Sequence, residues 1–143
     1  MRIKIITIGE PKLSFAREGF EEYIKRLNVY HKIQVVHLKD GSDDKKIIDV
    51  IGNLFCVVLD EKGKEFTSKE LSIFLEQKAV QSVGEICFVI GGPDGHGEEI
   101  KKRADYLWSF GKMTLPHDLA MVVLVEALYR ASTISAGHPY HRE

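Results

Sequence analysis

Apolar and polar residues follow two different periods along this chain, and stretches of the two periods alternate. Stretches with a period of two, or apolar throughout, predict β-strands, whereas apolar residues spaced three or four apart predict amphipathic helices. Strands are predicted over 2–9, 32–38, 53–60 and 85–92, and helices over 13–27, 43–52, 67–82 and 117–135, with a helix that runs into an extended piece over 97–110.

The two central predicted strands, NLFCVVLD and EICFVIGG, are nearly all apolar, as expected of strands buried on both faces. Such strands separated by helices predict an α/β fold with a largely parallel sheet flanked by helices. No repeat, linker or low-complexity run interrupts the 143 residues, so a single domain is predicted over 1–143. Cys56 and Cys87 lie inside the apolar strands, and we expect them to be buried fillers rather than disulfide partners or zinc ligands.

Two predicted helices begin with capping signals. Thr67 and Glu70 have the spacing of a capping box. Before the last helix, Thr114 can cap, Pro116 suits the first turn, and Asp118 favours the helix dipole.

The last predicted helix carries the charges Glu126 and Arg130 among apolar neighbours. A helix that is apolar nearly all round is buried by its own domain or by a partner. We expect its outward face to be difficult to cover within a domain of this size, and a homodimer would cover it. The two charged residues are four apart, so they can pair, and the pair could fix an interface or hold Arg130 ready for a phosphate or an oxyanion.

Charge and hydropathy narrow the function classes. The longest uninterrupted apolar run, Leu119 to Val125, is far shorter than the roughly 18 residues that span a bilayer, and the N-terminus does not resemble a signal peptide. A cytoplasmic protein without a membrane span is therefore expected. The net charge of −1, from 20 Lys+Arg and 21 Asp+Glu, indicates that any nucleic-acid substrate must be bound by local patches, by a dimer, or while held in shape by something larger.

Ligands of parallel sheets bind at the carboxyl ends of the strands, and three segments are expected there. They are LDEKGK (59–64), GGPDGHG (91–97) and FGKMTLP (110–116). The glycine-rich segment fits neither the dinucleotide-binding nor the P-loop pattern. A Rossmann-type fold needs its glycine loop after the first strand, where this chain has GEPKLS instead.

The chain ends in GHPYHRE (137–143), which combines residue types used for proton transfer and for the stabilisation of anions. Pro139 excludes a regular helix that would align His138 and His141 for a metal ion. From these residues alone, a solvated end, a metal site and part of an active site all stay open.

Taken together, LDEKGK, IGGPDG, KMTLPH, VEALYRA and HPYHRE resemble the RlmH family over the whole chain. These are bacterial methyltransferases of the SPOUT class that act on a pseudouridine of large-subunit ribosomal RNA. The resemblance implies a C-terminal deep trefoil knot, S-adenosylmethionine bound in that knot, and a homodimer. It also implies methylation of N3 of a pseudouridine in a stem-loop of the assembled ribosome, which agrees with the near-zero net charge.

The resemblance also implies site residues. The cofactor site would be lined by Leu59, Gly91, Gly92, Phe110, Gly111, Lys112, Met113, Thr114 and Leu115. Our catalytic hypothesis assigns proton handling or positioning of the base to His141 with Tyr140, names His138 as a second candidate base, and assigns stabilisation of the anion or phosphate contacts to Arg130 and Arg142. This sequence departs from the family pattern at Met121 and Ala127, where relatives often have Arg and Gln.

Other interpretations stay open. A SPOUT methyltransferase of another RNA would have the same motifs. A metal-dependent hydrolase could be built on Asp94, His96, His117, His138 and His141, although the main interpretation expects no metal. A non-catalytic ligand-binding module of flavodoxin-like type would also fit the pattern of strands and helices.

Overall fold

The computed structural model describes residues 1–81, 84–92 and 95–142. The elements within these ranges follow the predicted alternation, and the predicted extended piece near residue 110 is a fifth strand. In chain order they are β1 (Arg2–Ile8), α1 (Ser14–Leu27), β2 (Lys32–Leu38), α2 (Asp44–Ile51), β3 (Phe55–Glu65), α3 (Ser68–Val80), β4 (Glu85–Ile90), α4 (Glu98–Arg103), β5 (Tyr106–Ser109) and α5 (His117–Ala136).

The strands form one sheet in the order β2-β1-β4-β3-β5, and every neighbouring pair is parallel. The predicted parallel α/β architecture is therefore confirmed. One apolar cluster packs α1, α3 and α5 onto one face of the sheet, and a second cluster packs α2 and α4 onto the other. Cys56 and Cys87 are register partners on β3 and β4, and both are buried free thiols, as predicted.

β3 is longer than its apolar pattern predicts, and its second half makes an excursion from the sheet. Leu59 and Lys64 both pair with Trp108 of β5, so the four residues between them leave the regular ladder. The prediction that this strand ends at residue 60 is therefore wrong for the LDEKGK segment. Its charged residues are typical of a loop, but pairing with β5 draws its end into the sheet, which is a tertiary effect that local pattern does not reveal.

α5 lies between α1 and α3, which both pack against it. These neighbours cover more of α5 than predicted and leave a half-buried stripe of Leu119, Val123, Glu126, Arg130 and Ile134. By length and composition, α5 alone among the helices of the described residues would suffice to cross a membrane. We expected no membrane-spanning segment because the longest uninterrupted apolar run is short. α5, however, reaches 20 residues when its charged residues are counted. Here, however, its apolar side forms part of the core.

The position at which the family pattern often has Arg lies inside this core. Met121 is fully buried in the apolar cluster between the sheet and α1, α3 and α5, and Ala127 packs partly buried against the same cluster. Met121 therefore offers no surface to an RNA or to a partner chain.

One of the two predicted capping sites is confirmed. The N–H of Glu70 donates to Thr67 Oγ1 at 3.0 Å and the N–H of Thr67 donates to Glu70 Oε1 at 2.7 Å, which completes a capping box for α3. The prediction that Thr114 caps α5 is wrong, because Pro116 is the residue that precedes the helix and no side chain caps it. Pro116 already fixes the backbone at this helix start, where unpaired N–H groups are ordinary.

Asp118 lies in the first turn of α5, as predicted, but its carboxylate serves another helix. Its Oδ2 accepts from the N–H of Lys12 at 2.8 Å and from the N–H of Leu13 at 2.7 Å. These two donors precede α1, whose own N-cap, Leu13, has no side-chain hydrogen bond. Asp118 therefore joins the start of α5 to the start of α1.

His31 is a half-buried histidine below the N-terminal edge of the sheet. Ser132 Oγ donates to the carbonyl of Leu128 at 2.8 Å, so it accepts from His31 Nε2–H at 2.9 Å. The other ring nitrogen, Nδ1, is buried and has no hydrogen-bond partner among residues 1–81, 84–92 and 95–142. Burial, and then the positive charge of the N-terminus, lowers the pKa of His31 from 6.5 to about 4.

We expect acid to destabilise the fold through this histidine. Because the pKa of His31 is 6.5 in the unfolded chain and about 4 in the fold, the unfolded state binds the extra proton between these values. The contribution of His31 to the free energy of unfolding is complete above pH 6.5 and is lost as the pH falls towards 4. With a discount for partial exposure, it amounts to about 1–2 kcal/mol of unfolding free energy. Urea unfolding of wild type and His31→Gln at roughly pH 7.5 and 4.5 measures it.

The matched control is His138→Gln, which changes an exposed histidine. The His31→Gln protein should lose less stability on acidification than either the wild type or this control. An identical acid response in all three proteins would contradict the assignment.

Candidate active site

A cavity of about 410 Å³ opens at the carboxyl edge of the sheet, between the excursion of β3 and the segments that follow β4 and β5. The three segments that the sequence placed at this edge therefore come together. Eight of the nine predicted cofactor residues line the cavity: Leu59, Gly91, Gly92, Phe110, Gly111, Met113, Thr114 and Leu115. The ninth, Lys112, is exposed and does not line the cavity.

Several lining residues were missed by sequence reasoning. Asp60 lies within LDEKGK and could have been found there, whereas Lys101 of α4 and Trp108 of β5 had no sequence signal, because the fold alone turns them to this edge. Lys101 Nζ lies 3.7 Å from Asp60 Oδ1, and the Asp60 side chain is largely buried. One wall of the cavity is therefore an ion pair and another is aromatic.

Two histidines of the cavity have buried nitrogens without a partner. Within the part of the chain that the structure describes, both ring nitrogens of His96 and Nε2 of His117 make no hydrogen bond of ordinary geometry. Burial lowers the pKa of His96, although the Leu59 carbonyl and the carboxylates of Asp60 and Asp44 act in the opposite direction. Unpaired buried nitrogens cost free energy, so they are groups that a ligand could satisfy after a small movement of the rings.

The floor of the cavity is backbone, because glycine follows β4. A Cβ atom placed on Gly91 would lie 2.8 Å from His96 Cε1 and 3.1 Å from the carbonyl oxygen of Gly95. No larger residue fits there without displacement of its neighbours. The close approach leaves the peptide groups at the end of β4 open to a ligand.

The C-terminal tail, here residues 138–142, folds back along α5. At Gly137 the chain turns, and the N–H of His138 donates to the Thr133 carbonyl at 2.9 Å. The ring of Tyr140 then packs edge-on against Tyr129, with 4.7 Å between the ring centroids. The tail is therefore attached to the fold, and the interpretation as a solvated end is wrong for Tyr140.

The Tyr140 hydroxyl lies between two polar side chains. It donates to Glu126 Oε2 at 2.8 Å and lies 3.1 Å from the Tyr23 hydroxyl. Burial, followed by these hydrogen bonds, raises the pKa of Tyr140. Tyr140 therefore anchors the tail to α1 and α5, and its part in proton handling or base positioning stays a prediction.

Arg130 connects this anchor to His141. As predicted, Arg130 pairs with Glu126, with 2.7 Å between Nη2 and Oε2, and its pKa is raised by that hydrogen-bonded carboxylate. Its guanidinium lies over the Tyr140 ring, 4.7 Å from the centroid. Arg130 Nη1 is 3.1 Å from His141 Nδ1 and can only donate, so Nδ1 accepts and the ring proton is on Nε2.

The remaining tail residues are less constrained. His138 is exposed, and its Nδ1 accepts from the N–H of Tyr140 at 3.2 Å. Arg142 is also exposed. Glu143 of the tail, and Asp94 of the glycine-rich segment, lie outside the described residues.

The cavity and the start of the tail lie at opposite ends of α5. His117, in the first turn, lines the cavity, whereas the tail begins after the last turn, about 28 Å away along a helix of 20 residues. None of residues 138–142 lines the cavity of its own chain. The histidines proposed for a metal-dependent hydrolase are therefore split between two ends, and no three metal-binding side chains converge among the residues that the structure describes.

Comparison with known proteins agrees with the fold and the motifs. A family described as "Predicted SPOUT methyltransferase" matches residues 1–141. A Deinococcus deserti protein named ribosomal RNA large subunit methyltransferase H is 54% identical to this chain, over 99% of the chain and 100% of that protein.

Two solved structures share the fold at low sequence identity. A probable methyltransferase from Bordetella pertussis Tohama I has a TM-score of 0.57 at 9% identity, over 92% of this chain and 95% of that one. The SpoU methyltransferase AviRb from Streptomyces viridochromogenes, solved in complex with the cofactor AdoMet, has a TM-score of 0.51 at 10% identity, over 96% of this chain and 61% of that one. From the family match and the full-length relative, it follows that the chain belongs to the RlmH family of SPOUT methyltransferases.

Proposed function

We propose that this chain methylates large-subunit ribosomal RNA with S-adenosylmethionine as the cofactor. In finer detail, we propose that the methyl group goes to N3 of a pseudouridine in a stem-loop, on the assembled ribosome and in the cytoplasm. The observation that carries the proposal is the cavity formed by the three motif segments in a chain of this family. The name of the full-length relative supports the RNA substrate, and the near-zero net charge supports a substrate positioned by the ribosome.

The residues of the cavity fit S-adenosylmethionine. A volume of about 410 Å³ lies within the range typical of small-molecule sites. Leu59, Phe110 and Leu115 offer apolar walls to an adenosine, while the peptide groups near Gly91 and the unpaired nitrogens of His96 offer hydrogen bonds. When bound, the cofactor would supply a methyl carbon made electrophilic by its sulfonium. AviRb, which has the same fold, was solved with this cofactor.

The protein would work as a homodimer in which the tail of each chain closes the cavity of its partner. Within one chain, the tail folds back only as far as Glu126 and Arg130, which lie roughly 14–20 Å along α5 from His117 at the cavity. The half-buried stripe on α5 and the exposed side chains of Leu13 and Phe15, at the start of the neighbouring α1, provide an apolar surface for a second copy. Apolar patches of this kind are typical of homodimer interfaces.

The tail would supply charge and proton handling to the RNA base. Loss of the N3 proton leaves a negative charge that spreads onto the neighbouring carbonyl oxygens, and Arg130 and Arg142 are the cations that could stabilise it or contact phosphates. His141 and His138 are the candidates for proton transfer. Since Nδ1 of each ring already accepts a hydrogen bond, either histidine would have to exchange that bond before Nδ1 could take a proton. Tyr140 positions these groups.

We also infer that the C-terminal part of the fold is a trefoil knot, as the family resemblance implies. The excursion of β3 supports this inference, because the backbone of β5 runs very close to it. A Cβ atom on Gly63 would lie 2.5 Å from the carbonyl carbon of Leu107 and 2.7 Å from the nitrogen of Trp108. Only glycine allows such an approach without displacement of the backbone.

Three measurements on the purified protein test the proposed function. Calorimetry should detect binding of S-adenosylmethionine, and not of nicotinamide or flavin nucleotides. Transfer of a labelled methyl group should be fast on ribosomes or large subunits, and mass spectrometry of the digested RNA should find the label on N3 of a pseudouridine. Failure to bind S-adenosylmethionine would overturn the proposal, whereas transfer to a different RNA would preserve the cofactor and change the substrate.

A further inference from the structure

We propose that Tyr23 of α1 and Glu126 of α5 are positioning residues for the C-terminal tail. Together they hold Tyr140, and through it they fix Arg130 and His141 relative to each other. The inference rests on the proposed function, because it concerns the geometry of the tail during methyl transfer. It adds to the site a residue from α1, an element in which the sequence motifs gave no signal.

The hydrogen bonds of this cluster have a defined direction. Tyr140 has one hydroxyl hydrogen, and it is donated to Glu126 Oε2 at 2.8 Å. The contact between the two tyrosine hydroxyls, at 3.1 Å, must therefore be a donation from Tyr23 to Tyr140. Each donor has one acceptor in this order, so the chain from Tyr23 through Tyr140 to Glu126 has a single arrangement.

Glu126 is the point at which the cluster converges. Besides the Tyr140 hydroxyl, its carboxylate accepts from Arg130 Nη2 at 2.7 Å and from Arg130 Nε at 3.2 Å. Arg130 is thus held on one edge by a forked ion pair, and its Nη1 faces His141 Nδ1. A donation from Arg130 Nη1 to His141 Nδ1 favours the tautomer with the ring proton on Nε2.

The ring and the hydroxyl of Tyr140 attach the tail to the packed part of the fold. The ring packs on Tyr129 and the hydroxyl donates to Glu126, whereas Gly137, His138 and Pro139 are exposed. The Tyr140 hydroxyl lies next to the Tyr23 hydroxyl, and the Tyr23 ring packs on Tyr129 and under the guanidinium of Arg26. Without the Tyr23 hydroxyl, the Tyr140 ring would still pack on Tyr129, but its hydroxyl would lose one of two partners.

The chain offers a matched control for Tyr23→Phe. Tyr30 also packs against Tyr129, with 6.2 Å between the ring centroids, and its hydroxyl makes no hydrogen bond to the residues that the structure describes. Tyr30→Phe therefore removes the same atom next to the same ring without a change in the tail. Glu126→Gln is the second variant, because it retains an acceptor for Tyr140 but loses the charge that pairs with Arg130.

In a methyl-transfer assay on ribosomes, Tyr23→Phe should lower kcat about tenfold, the effect expected of one such hydrogen bond. The Kd for S-adenosylmethionine, the KM for ribosomes and the melting temperature should stay close to those of Tyr30→Phe. If Tyr23 had a purely structural role, Tyr23→Phe would instead change the melting temperature and would not lower kcat selectively. Glu126→Gln should lower kcat further, because it weakens the contact from Arg130 to His141.

Nitrogen-15 NMR of histidine-labelled protein gives a readout without turnover. The wild type and Tyr30→Phe should have His141 protonated on Nε2, whereas Glu126→Gln should have a mixture of tautomers. Equal kcat in Tyr23→Phe and Tyr30→Phe, or an unchanged His141 spectrum in Glu126→Gln, would overturn the inference. Absence of methyl transfer by the wild type would be a failure of the proposed function instead, and the His141 spectra would still test the positioning.

Discussion

A chain that ends at Gly137 is expected to bind S-adenosylmethionine with wild-type affinity but to transfer the methyl group at least about 100-fold more slowly, the range typical of lost proton transfer and charge stabilisation. The cavity is lined entirely by residues before this point, so the truncation leaves it intact. It removes His141 and Arg142, and it releases Arg130 from the Tyr140 ring. Calorimetry for the cofactor, and label transfer to ribosomes for the chemistry, measure the two effects separately.

The control for this truncation is the melting temperature, because Tyr140 also packs on the core. A truncated protein that melts well above the assay temperature and still transfers methyl groups at near the wild-type rate would show that the tail has no part in the chemistry. In that case Arg130 would be the remaining candidate at this end of α5.

Gly91→Val is expected to weaken cofactor binding by about 10- to 100-fold, because overpacking of a site typically costs about 1–3 kcal/mol. The first atom of the new side chain would already meet His96 at 2.8 Å and the Gly95 carbonyl oxygen at 3.1 Å. The other carbons of the valine must then take space from the ligand or displace the segment after β4. Calorimetric titration with S-adenosylmethionine measures the change in Kd.

Gly84→Val is the matched control, since a Cβ atom on Gly84 meets none of the described residues within 4 Å and Gly84 does not line the cavity. Unchanged cofactor affinity in Gly91→Val would mean that the ligand binds elsewhere.

Gly91→Val also tests the dimer when it is co-expressed with the truncated chain. A tail that acts on the partner's cavity should restore activity to about a quarter of the wild type, from the one complete site of each mixed dimer.

The sequence alone predicts the architecture well, because the two periods of apolar residues are strong in this chain. β2 begins and ends where its pattern predicts, over Lys32–Leu38, and the capping box at Thr67 forms as expected. The motifs at Leu59, Gly91 and Phe110 converge because the carboxyl ends of parallel strands share one edge.

What local pattern could not predict comes from contacts between distant residues. The second half of β3 is strand because β5 pairs with it, although its charges suggest a loop. The contact between Tyr23 and Tyr140 joins residues 117 positions apart, and Asp118 caps the start of α1 from another helix. Neither pair has a periodicity or motif that would identify it in a single sequence.

The placement of α5 constrains where residues can be inserted into or deleted from this protein. The first turn of α5 carries a residue of the cavity, and its last turns carry Arg130 and the attachment of the tail. One residue inserted in the middle would rotate everything after it by about 100° and advance it by about 1.5 Å. The tail would then leave Tyr23, and the half-buried stripe would no longer be continuous. Insertions and deletions should therefore be tolerated in the surface loops and be excluded from α5.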